Sequence, residues 1–210
     1  MGSRKIKPSK GKHNRHKVPN TKLQKMIHCE STLERDYVKV QQFDSSTINI
    51  IYQPIEIKYS YRGRKRRYYP DFLVEKENGE MILVEVKPEA YVKSERNALK
   101  FLVGKNYAQL KGWEYRIVTE FDIRKGLLIP NLDTLDALSL REIEPDMEVF
   151  LRTLMQEQGS MKFSEVVQKY GEEDEGIIYG IILNLIYTEV LYVDLVREDL
   201  TQDFTIYWED

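Results

Sequence analysis

Four short segments rich in β-branched and aromatic residues follow one another between residues 48 and 87, and they constrain the fold more than any other feature. They are Ile48–Tyr52, Ile55–Tyr61, Arg67–Glu75 and Met81–Lys87. The pairs Gln53-Pro54, Arg62-Gly63 and Asn78-Gly79 separate them, and Asn-Gly is a strong signal for a two-residue hairpin turn. The pattern therefore predicts a run of antiparallel strands.

Helical patterns flank these strands on both sides. Ser31-Thr32-Leu33-Glu34 fits a capping box and opens a predicted helix that ends near Phe43. A second helix is predicted from about Tyr91 to Leu110, with Gly112 as its stop, and a strand follows over Glu114–Thr119. Helix, antiparallel strands, helix and strand in this order indicate an α/β sandwich.

The C-terminal part of the chain predicts a second, smaller domain. Three short helices are predicted at Met147–Gln158, Phe163–Tyr170 and Glu175–Thr188, followed by a hairpin of Leu191–Leu195 with Phe204–Trp208. This is the order of a winged helix; the alternative is a helical cap on the first domain. The predicted boundaries are a flexible basic arm at 1–25, a first domain at 26–130, a linker at 131–146 and a second domain at 147–210.

Charge is divided unevenly along the chain. Residues 1–29 carry nine Lys or Arg and no acidic residue, residues 30–131 carry 18 against 15, and residues 132–210 carry five against 19. The middle can approach a polyanion, whereas the acidic end is repelled by one. The basic arm is interpreted either as a solubilising tail or as a phosphate-contacting arm, and the rest of the sequence favours the second.

Two carboxylates and an ammonium are predicted to converge at one end of the sheet. Asp71 begins one strand, while Glu85 and Lys87 lie two residues apart on the neighbouring strand and therefore share a face. A two-residue turn at Asn78-Gly79 pairs residues whose numbers sum to about 157, which places Glu85 opposite Phe72 and next to Asp71.

Such a group of side chains suits a hard divalent cation such as Mg²⁺, which takes a couple of carboxylates, a carbonyl and several waters. The cation lowers the pKa of a bound water and stabilises charge on a phosphoryl group, while Lys87 orients the water or offsets that charge. The alternative is a surface ion pair between Glu85 and Lys87, which is worth little. Because unpaired charge is costly in an apolar strand, the flanking Val84 and Val86 favour the catalytic interpretation.

Glu34 has two interpretations. In a capping box, a glutamate at this place satisfies a backbone N–H, and the local pattern alone favours that role. The other interpretation is a metal ligand supplied by the first helix.

Several short motifs occur in one order with short gaps: Glu30–Glu34, Tyr52-Gln53-Pro54, Tyr69-Pro70-Asp71-Phe72 and Glu85-Val86-Lys87-Pro88. They resemble TnsA, the endonuclease subunit of heteromeric transposases, including relatives in CRISPR-associated transposons. The resemblance covers roughly residues 30–125. It implies a restriction-endonuclease-like core of the PD-(D/E)XK superfamily over residues 26–130, followed by a small winged-helix-like domain at 147–210 that binds partners.

The same resemblance implies roles for individual residues. Glu34, Asp71 and Glu85 are expected to bind Mg²⁺ together with the Val86 carbonyl, and Lys87 is expected to complete the catalytic set. Two Mg²⁺ ions are expected, with Mn²⁺ as a substitute. Where some members of the family have Gln, this chain has Glu85, which adds charge for the metal. In addition, Gln53 is expected to support the site.

A cluster of cations is predicted to grip DNA beside this site. Arg62, Arg64, Lys65, Arg66 and Arg67 lie at one hairpin tip. Lys93, Arg96 and Lys100 recur at intervals of three and four residues on the following helix and are predicted to share a face that extends the groove. Basic residues at a hairpin tip are also consistent with a solvated turn that discourages edge pairing. Five cations one strand away from a metal site favour phosphate binding instead.

The resemblance further implies the partners. The substrate is double-stranded DNA at transposon ends, cut at the 5′ ends, while a TnsB-like DDE transposase acts at the 3′ ends and a TnsC-like ATPase docks on the C-terminal domain. Charge agrees with this docking role, because Glu175–Thr188 contains no Lys or Arg, unlike a helix that reads DNA. Two alternatives are a stand-alone restriction or repair nuclease, and an assembly factor that bridges transposase and ATPase.

Cysteine content and hydropathy exclude other classes. Cys29 is the only cysteine, which excludes an internal disulfide framework and a multi-cysteine zinc site. No apolar run approaches the roughly 20 residues that span a bilayer. A cytoplasmic protein that does not associate with a membrane is therefore expected, and the resemblance to TnsA further implies a bacterial protein that is associated with the nucleoid when acting.

Overall fold

The computed structural model describes residues 16–20, 25–138, 145–171 and 174–208. The chain divides into two compact units, Met1–Arg124 (unit 1) and Lys125–Asp210 (unit 2). Residues 1–15 and 21–24 of the predicted basic arm lie outside the described residues. Among the helices that are described, none is long and apolar enough to cross a membrane.

Unit 1 has mixed α/β structure. Its strands are β1 (His16–Asn20), β2 (Lys25–Cys29), β3 (Thr47–Tyr52), β4 (Ile57–Tyr61), β5 (Arg64–Tyr68), β6 (Phe72–Lys76), β7 (Met81–Val86) and β8 (Glu114–Val118), and its helices are α1 (Thr32–Phe43), α2 (Glu89–Val92), α3 (Glu95–Lys111) and α4 (Glu120–Ile123). The central sheet has the order β3-β6-β7-β8, in which only the β7–β8 pair is parallel. Two smaller antiparallel sheets pair β1 with β2 and β4 with β5.

The central sheet is buried on both faces. Phe72 is fully buried, and its ring centroid lies 5.4 Å from that of Tyr37 on α1. The next residue, Leu73, points to the other face and packs with Leu83 and with Ala108 of α3. A polar side chain on the middle strands is therefore removed from water unless it lies at a strand end.

Part of the predicted flexible arm is a strand. β1 pairs antiparallel with β2, from His16 opposite Cys29 to Asn20 opposite Lys25. The arm therefore contributes backbone pairing to unit 1, which its basic composition did not indicate.

The predicted strand Arg67–Glu75 is two strands in different sheets. β5 ends at Tyr68, and β6 begins at Phe72. Pro70 lies between them and has no N–H to donate to a ladder. The basic hairpin is therefore a separate sheet and does not continue directly into the strand after Asp71.

The register between β6 and β7 differs by one residue from the predicted register. Phe72 pairs with Val84, so that paired residue numbers sum to 156. The turn has three residues, because the Lys76 N–H donates to the Glu80 carbonyl at 2.9 Å and Gly79 takes a left-handed φ of 82°. Extended by one residue, this register brings Asp71 rather than Phe72 opposite Glu85.

The second predicted helix is also divided in two. Ser94 interrupts it and caps α3 by accepting a hydrogen bond from the Asn97 N–H. The predicted stop at Gly112 is confirmed, because this residue ends α3 with a left-handed φ of 70°.

Unit 2 is mainly helical. Its elements are α5 (Leu128–Leu138), α6 (Pro145–Gln158), β9 (Ser160–Lys162), α7 (Phe163–Tyr170), α8 (Glu175–Tyr187) and β10 (Thr205–Tyr207). The three predicted helices are confirmed as α6, α7 and α8. The segment predicted as a linker at 131–146 is partly helical, because α5 occupies its first part and contacts α8. Residues 139–144 lie outside the described residues.

The predicted C-terminal hairpin is rearranged. β10 pairs antiparallel with β9, and Tyr192 makes a single bridge to Tyr207 where a full strand at Leu191–Leu195 was predicted. Helix α8 is largely enclosed, with seven of its residues buried: Ile178, Gly180, Ile181, Ile182, Leu183, Leu185 and Ile186. Its apolar composition is therefore explained by its place in the core of unit 2.

Candidate active site

Glu85 is a buried carboxylate near the end of β7, with only 2% of its surface exposed. Its Oε1 lies 3.2 Å from Lys87 Nζ, and its Oε2 accepts a hydrogen bond of 2.7 Å from the Tyr68 hydroxyl. A buried charge is stable only when it is paired and hydrogen-bonded, and both oxygens of Glu85 meet this condition. Glu85 is therefore a buried residue with specific partners for both oxygens and not an exposed surface acid.

Asp71 lies next to Glu85, immediately before β6. Its Oδ2 accepts a hydrogen bond of 2.8 Å from the Val86 N–H, which joins it to β7. Burial raises the pKa of Asp71 well above its usual range, and repulsion from Glu85 and Glu34 raises it further. The attraction of Lys87 and the Val86 N–H opposes this shift without cancelling it.

Lys87 supplies the positive charge among these carboxylates. Burial alone would lower the pKa of Lys87, but attraction by Asp71 and Glu85 outweighs it and raises the pKa above the usual value. Lys87 is thus held as an ammonium, which donates hydrogen bonds and stabilises negative charge but cannot ligate a metal.

Glu34 supports the cap of α1, while its role as a metal ligand stays a prediction. Its N–H donates to the Ser31 hydroxyl at 3.1 Å, and its carboxylate accepts from the Glu30 N–H at 2.8 Å and from the Ser31 hydroxyl at 2.9 Å. The predicted capping box differs in one bond, because the carboxylate accepts from the N–H of Glu30 and not from that of Ser31. Burial raises the pKa of Glu34, and attraction by the Lys87 ammonium opposes part of this shift. The Glu34 carboxylate in turn raises the pKa of Asp71. The cap therefore anchors a carboxylate that belongs electrostatically to the site.

Gln53 holds the backbone of Asp71. It is buried and has a positive φ of 41°, which is uncommon for a residue other than glycine. In this conformation its N–H donates to the Asp71 carbonyl at 2.8 Å. A strained backbone of this kind clusters at functional sites, and here it fixes the start of β6.

The arrangement is compatible with a divalent cation that is completed by a substrate. Within the described part of the chain, no three His, Cys, Asp or Glu side chains form a ready-made metal-binding group. Mg²⁺, however, is commonly bound by one or two carboxylates together with substrate phosphates and waters. Asp71 and Glu85 repel one another in a buried place, so the donor set fits a cation of this type.

Sequence reasoning missed the residues that surround Glu85. Tyr68 is buried and donates to Glu85, and its hydroxyl lies 3.1 Å from that of Tyr115 on β8. Lys100 on α3 lies 5.8 Å above the centroid of the Tyr68 ring. The only signal for Tyr68 was its place beside the basic run, which suggested a DNA contact instead.

The basic hairpin β4–β5 is exposed except at its base. Arg62 and Gly63 form its turn with φ values of 48° and 70°, as a two-residue turn requires. Arg64 and Arg66 share a face of β5 with Tyr68, whereas Arg67 points to the other face and pairs with Glu56 at 3.1 Å. A groove of about 480 Å³ on this hairpin is lined by Lys58, Tyr59, Ser60, Lys65, Arg66 and Arg67.

The three predicted helical cations do not all lie on one helix. Lys93 is the C-cap of α2, whereas Arg96 and Lys100 lie four residues apart on α3. Lys93 and Arg96 are exposed, and Lys100 is half-buried. The predicted common face is therefore wrong for Lys93, whereas the spacing of Arg96 and Lys100 is that of neighbours on one helix face.

A larger groove is formed within unit 2. It measures about 860 Å³ and is formed in unit 2 by α7, the start of α8 and residues 200–203. It is lined by none of the predicted catalytic residues, so groove size is a poor guide to the chemistry of this chain.

Comparison with known families agrees with the predicted resemblance. Residues 44–120 match the family described as TnsA-like endonuclease N terminal. The matched segment contains Gln53, Asp71, Glu85 and Lys87, and it ends before unit 2. No curated protein matches the chain. Over these residues the chain is similar to a TnsA-like nuclease, and nuclease activity is indicated.

Proposed function

We propose that this chain is a Mg²⁺-dependent DNA endonuclease subunit that acts within a Tn7-type transposase. The observation that carries the proposal is the cluster of the buried Glu85 with the half-buried Asp71 and Lys87, in which carboxylates repel each other beside a lysine held as an ammonium. It lies inside the segment that is similar to TnsA-like endonucleases.

The residues have separate roles in this proposal. Asp71 and Glu85 would hold Mg²⁺, with Glu34 and the Val86 carbonyl as further donors. When bound, the ion supplies Lewis-acid chemistry at the phosphodiester and promotes ionisation of a water. Lys87 donates to the phosphoryl oxygens, where negative charge grows during attack. Gln53 keeps Asp71 in place through the 2.8 Å bond between its N–H and the Asp71 carbonyl.

Double-stranded DNA is the proposed substrate. The exposed cations of the β4–β5 hairpin supply sequence-independent phosphate contacts, which position a duplex without reading its bases. Since Tyr68 joins the base of this hairpin to Glu85, a duplex bound there lies beside the carboxylates. The address of the cut is left to partner proteins in this proposal.

Unit 2 is proposed to dock proteins and not DNA. Its order of helix, strand, two helices and a second strand that returns to the first is compatible with a winged helix. Helix α8 stands where the helix that reads DNA is expected, but it is mostly buried and has no Lys or Arg. A TnsC-like ATPase and a TnsB-like transposase are the proposed partners.

The first test is Mg²⁺-dependent cleavage of DNA that carries transposon ends, with the matching transposase and ATPase present. Asp71→Ala and Lys87→Ala are each expected to abolish the 5′ cuts and to leave 3′ nicking intact. Glu77→Ala is the matched control, because this acid lies exposed at the turn of the same hairpin. It is expected to cut at the wild-type rate.

Two other results would change the assignment. Persistent 5′ cuts in Asp71→Ala would mean that the cluster is not the active site and would favour an assembly role. Site-specific cutting by the purified chain alone would favour a stand-alone nuclease.

A further inference from the structure

A chain of two tyrosine hydroxyls reaches the second oxygen of Glu85. The Tyr68 hydroxyl donates to Glu85 Oε2 at 2.7 Å, and the hydroxyls of Tyr68 and Tyr115 are 3.1 Å apart. A tyrosine hydroxyl has one proton to donate, and that of Tyr68 is given to Glu85, so Tyr115 is the donor to Tyr68. The chain therefore runs in one direction, from Tyr115 through Tyr68 to Glu85.

Close packing holds both rings. Tyr68 is 2% exposed, and Lys100 lies over its ring face. Tyr115 lies against Gly104 of α3, where an added Cβ would be only 2.5 Å from the ring. Gly104 thus provides the space for Tyr115. Because the Tyr68 hydroxyl is fixed in this way, it cannot move with the Glu85 carboxylate when that carboxylate rotates. The hydrogen bond therefore favours one orientation of Glu85.

The bond divides the two oxygens of Glu85 between different partners. Oε2 is committed to Tyr68, and Oε1 lies on the side of Lys87, at 3.2 Å from its Nζ. Outer partners of this kind orient carboxylates that bind metals and raise the affinity for the metal. Which oxygen Glu85 presents to a cation is therefore set by Tyr68.

We propose that Tyr68 is a positioning residue of the nuclease site, whose hydroxyl, supported by Tyr115, fixes the Glu85 carboxylate in the orientation that binds the divalent cation. The inference rests on the proposed function, because the orientation matters only if Glu85 binds a cation. Tyr68 also ends β5, so the basic hairpin and the catalytic strand are joined through one hydrogen bond.

A purely structural role makes a different prediction. If Tyr68 only satisfied a buried carboxylate, its loss would lower thermal stability and leave the cation requirement unchanged. The two roles are therefore separated by the affinity for the cation and not by activity at a single Mg²⁺ concentration.

The test uses Tyr68→Phe in the full chain. Binding of Mn²⁺ is measured without DNA by electron paramagnetic resonance, and cleavage is measured as a function of Mg²⁺ concentration. The Mn²⁺ Kd and the Mg²⁺ concentration for half-maximal cleavage are each expected to rise about tenfold, since loss of such an outer partner costs roughly 10–100-fold in affinity. The maximal rate is expected to recover at saturating Mg²⁺.

Two further variants complete the design. Tyr107→Phe is the matched control, because this tyrosine lies in the same unit and packs edge-on against Trp113, outside the hydroxyl chain. It is expected to leave both constants unchanged. Tyr115→Phe removes the donor to Tyr68 without touching Glu85, and a smaller shift in the same direction is expected. If Tyr68→Phe fails to fold, Tyr115→Phe decides by the same two measurements.

Each other outcome overturns the inference in a distinguishable way. Unchanged Mn²⁺ and Mg²⁺ constants in Tyr68→Phe and Tyr115→Phe would remove the positioning role while the nuclease assignment stands. A loss of rate that saturating Mg²⁺ does not restore would show that Tyr68 acts other than through cation affinity. A folded wild-type chain that neither binds Mn²⁺ nor cuts DNA would refute the proposed function, and this inference with it.

Discussion

Asp71 is the residue whose surroundings say most about the site. It is half-buried beside Glu85 and Glu34, and one lysine does not offset the repulsion among these carboxylates. A protein keeps an arrangement of this kind at the expense of stability when function requires it. A divalent cation would relieve the repulsion, which makes stability an independent probe of the site.

Stability is therefore expected to depend on pH and Mg²⁺ together. The pKa of Asp71 is about 3.9 in the unfolded chain and higher in the folded one, so the folded state binds more protons between the two values. Stability of the metal-free protein falls as pH rises through this window. Mg²⁺ is expected to raise the Tm at pH 8 and to change it little near pH 4. Differential scanning calorimetry measures both effects.

Two substitutions with opposite signs check this interpretation. Asp71→Asn is expected to raise the metal-free Tm at pH 8, because it removes a repelled charge, and to abolish the Mg²⁺ response. In Asp44, burial raises the pKa, but hydrogen bonds from Lys76 and Ser46 outweigh it and lower the pKa overall. Asp44→Asn is therefore expected to destabilise at pH 8 and to lose this effect as pH falls below 4. A destabilising Asp71→Asn would contradict the repulsion.

Among the elements, those with a strong local signal could be predicted from the sequence. The N-cap at Ser31, whose hydroxyl accepts from the Glu34 N–H, places the start of α1, and Gly112 places the end of α3. The register of β6 with β7 could not be predicted, because Asn-Gly is compatible with both a two-residue and a three-residue turn. The split of the strand at Pro70 depends on which sheet each half joins, which is a tertiary property.

The residues of the site also differ in how far they can be predicted from the sequence. Asp71, Glu85 and Lys87 lie on one hairpin, so strand periodicity is sufficient to bring them together. Tyr115 reaches the Tyr68 hydroxyl, and through it Glu85, only because β8 pairs parallel to β7. Likewise, the buried Asp36 on α1 binds Arg124 at 2.7 Å, although the two residues are far apart in the sequence. No local sequence pattern predicts a partner that lies so far along the chain.

The β4–β5 hairpin offers a test at the level of a single element. Arg66→Ala is expected to weaken binding of duplex DNA and to reduce the magnitude of the slope of log affinity against log salt by about 1, as for one lost phosphate contact. Arg67→Ala is the matched comparison, since it removes the same charge from the neighbouring residue, whose guanidinium pairs with Glu56. Its effect is expected to be smaller.

Fluorescence anisotropy over a range of salt concentrations measures both slopes. Equal effects of the two substitutions would mean that only net charge matters, and that neither face of β5 is preferred by DNA.

In the whole molecule, the change from a basic to an acidic charge balance falls near the boundary between the two units. Unit 1 contains the carboxylates and the exposed cations, whereas most of the acid excess lies in unit 2. Each unit has its own buried residues, such as Leu83 in the first and Leu151 in the second, both with no exposed surface. Separate cores predict separate stabilities.

Core truncations test this separation. Leu151→Ala is expected to cost about 3 kcal/mol, as for other buried leucines, and to speed amide hydrogen exchange in residues 125–208. Protection in the central sheet of unit 1 is expected to remain. Leu83→Ala is the reciprocal control, with the loss confined to unit 1. Exchange that rises across the whole chain in either variant would show that the two units unfold together.

The parallel pairing of β8 with β7 also sets when the site is completed during synthesis. The hairpin that carries Asp71 and Glu85 forms from local contacts, whereas β8 pairs only after α3 has crossed the sheet. Because a chain folds from its N-terminal side as it is made, both carboxylates leave the ribosome before Tyr115 does. A nascent polypeptide that ends before Tyr115 therefore contains Asp71 and Glu85 but lacks the complete pair of tyrosine hydroxyls that orients Glu85. We expect the ability to cleave DNA to arise late, when β8 has paired with β7.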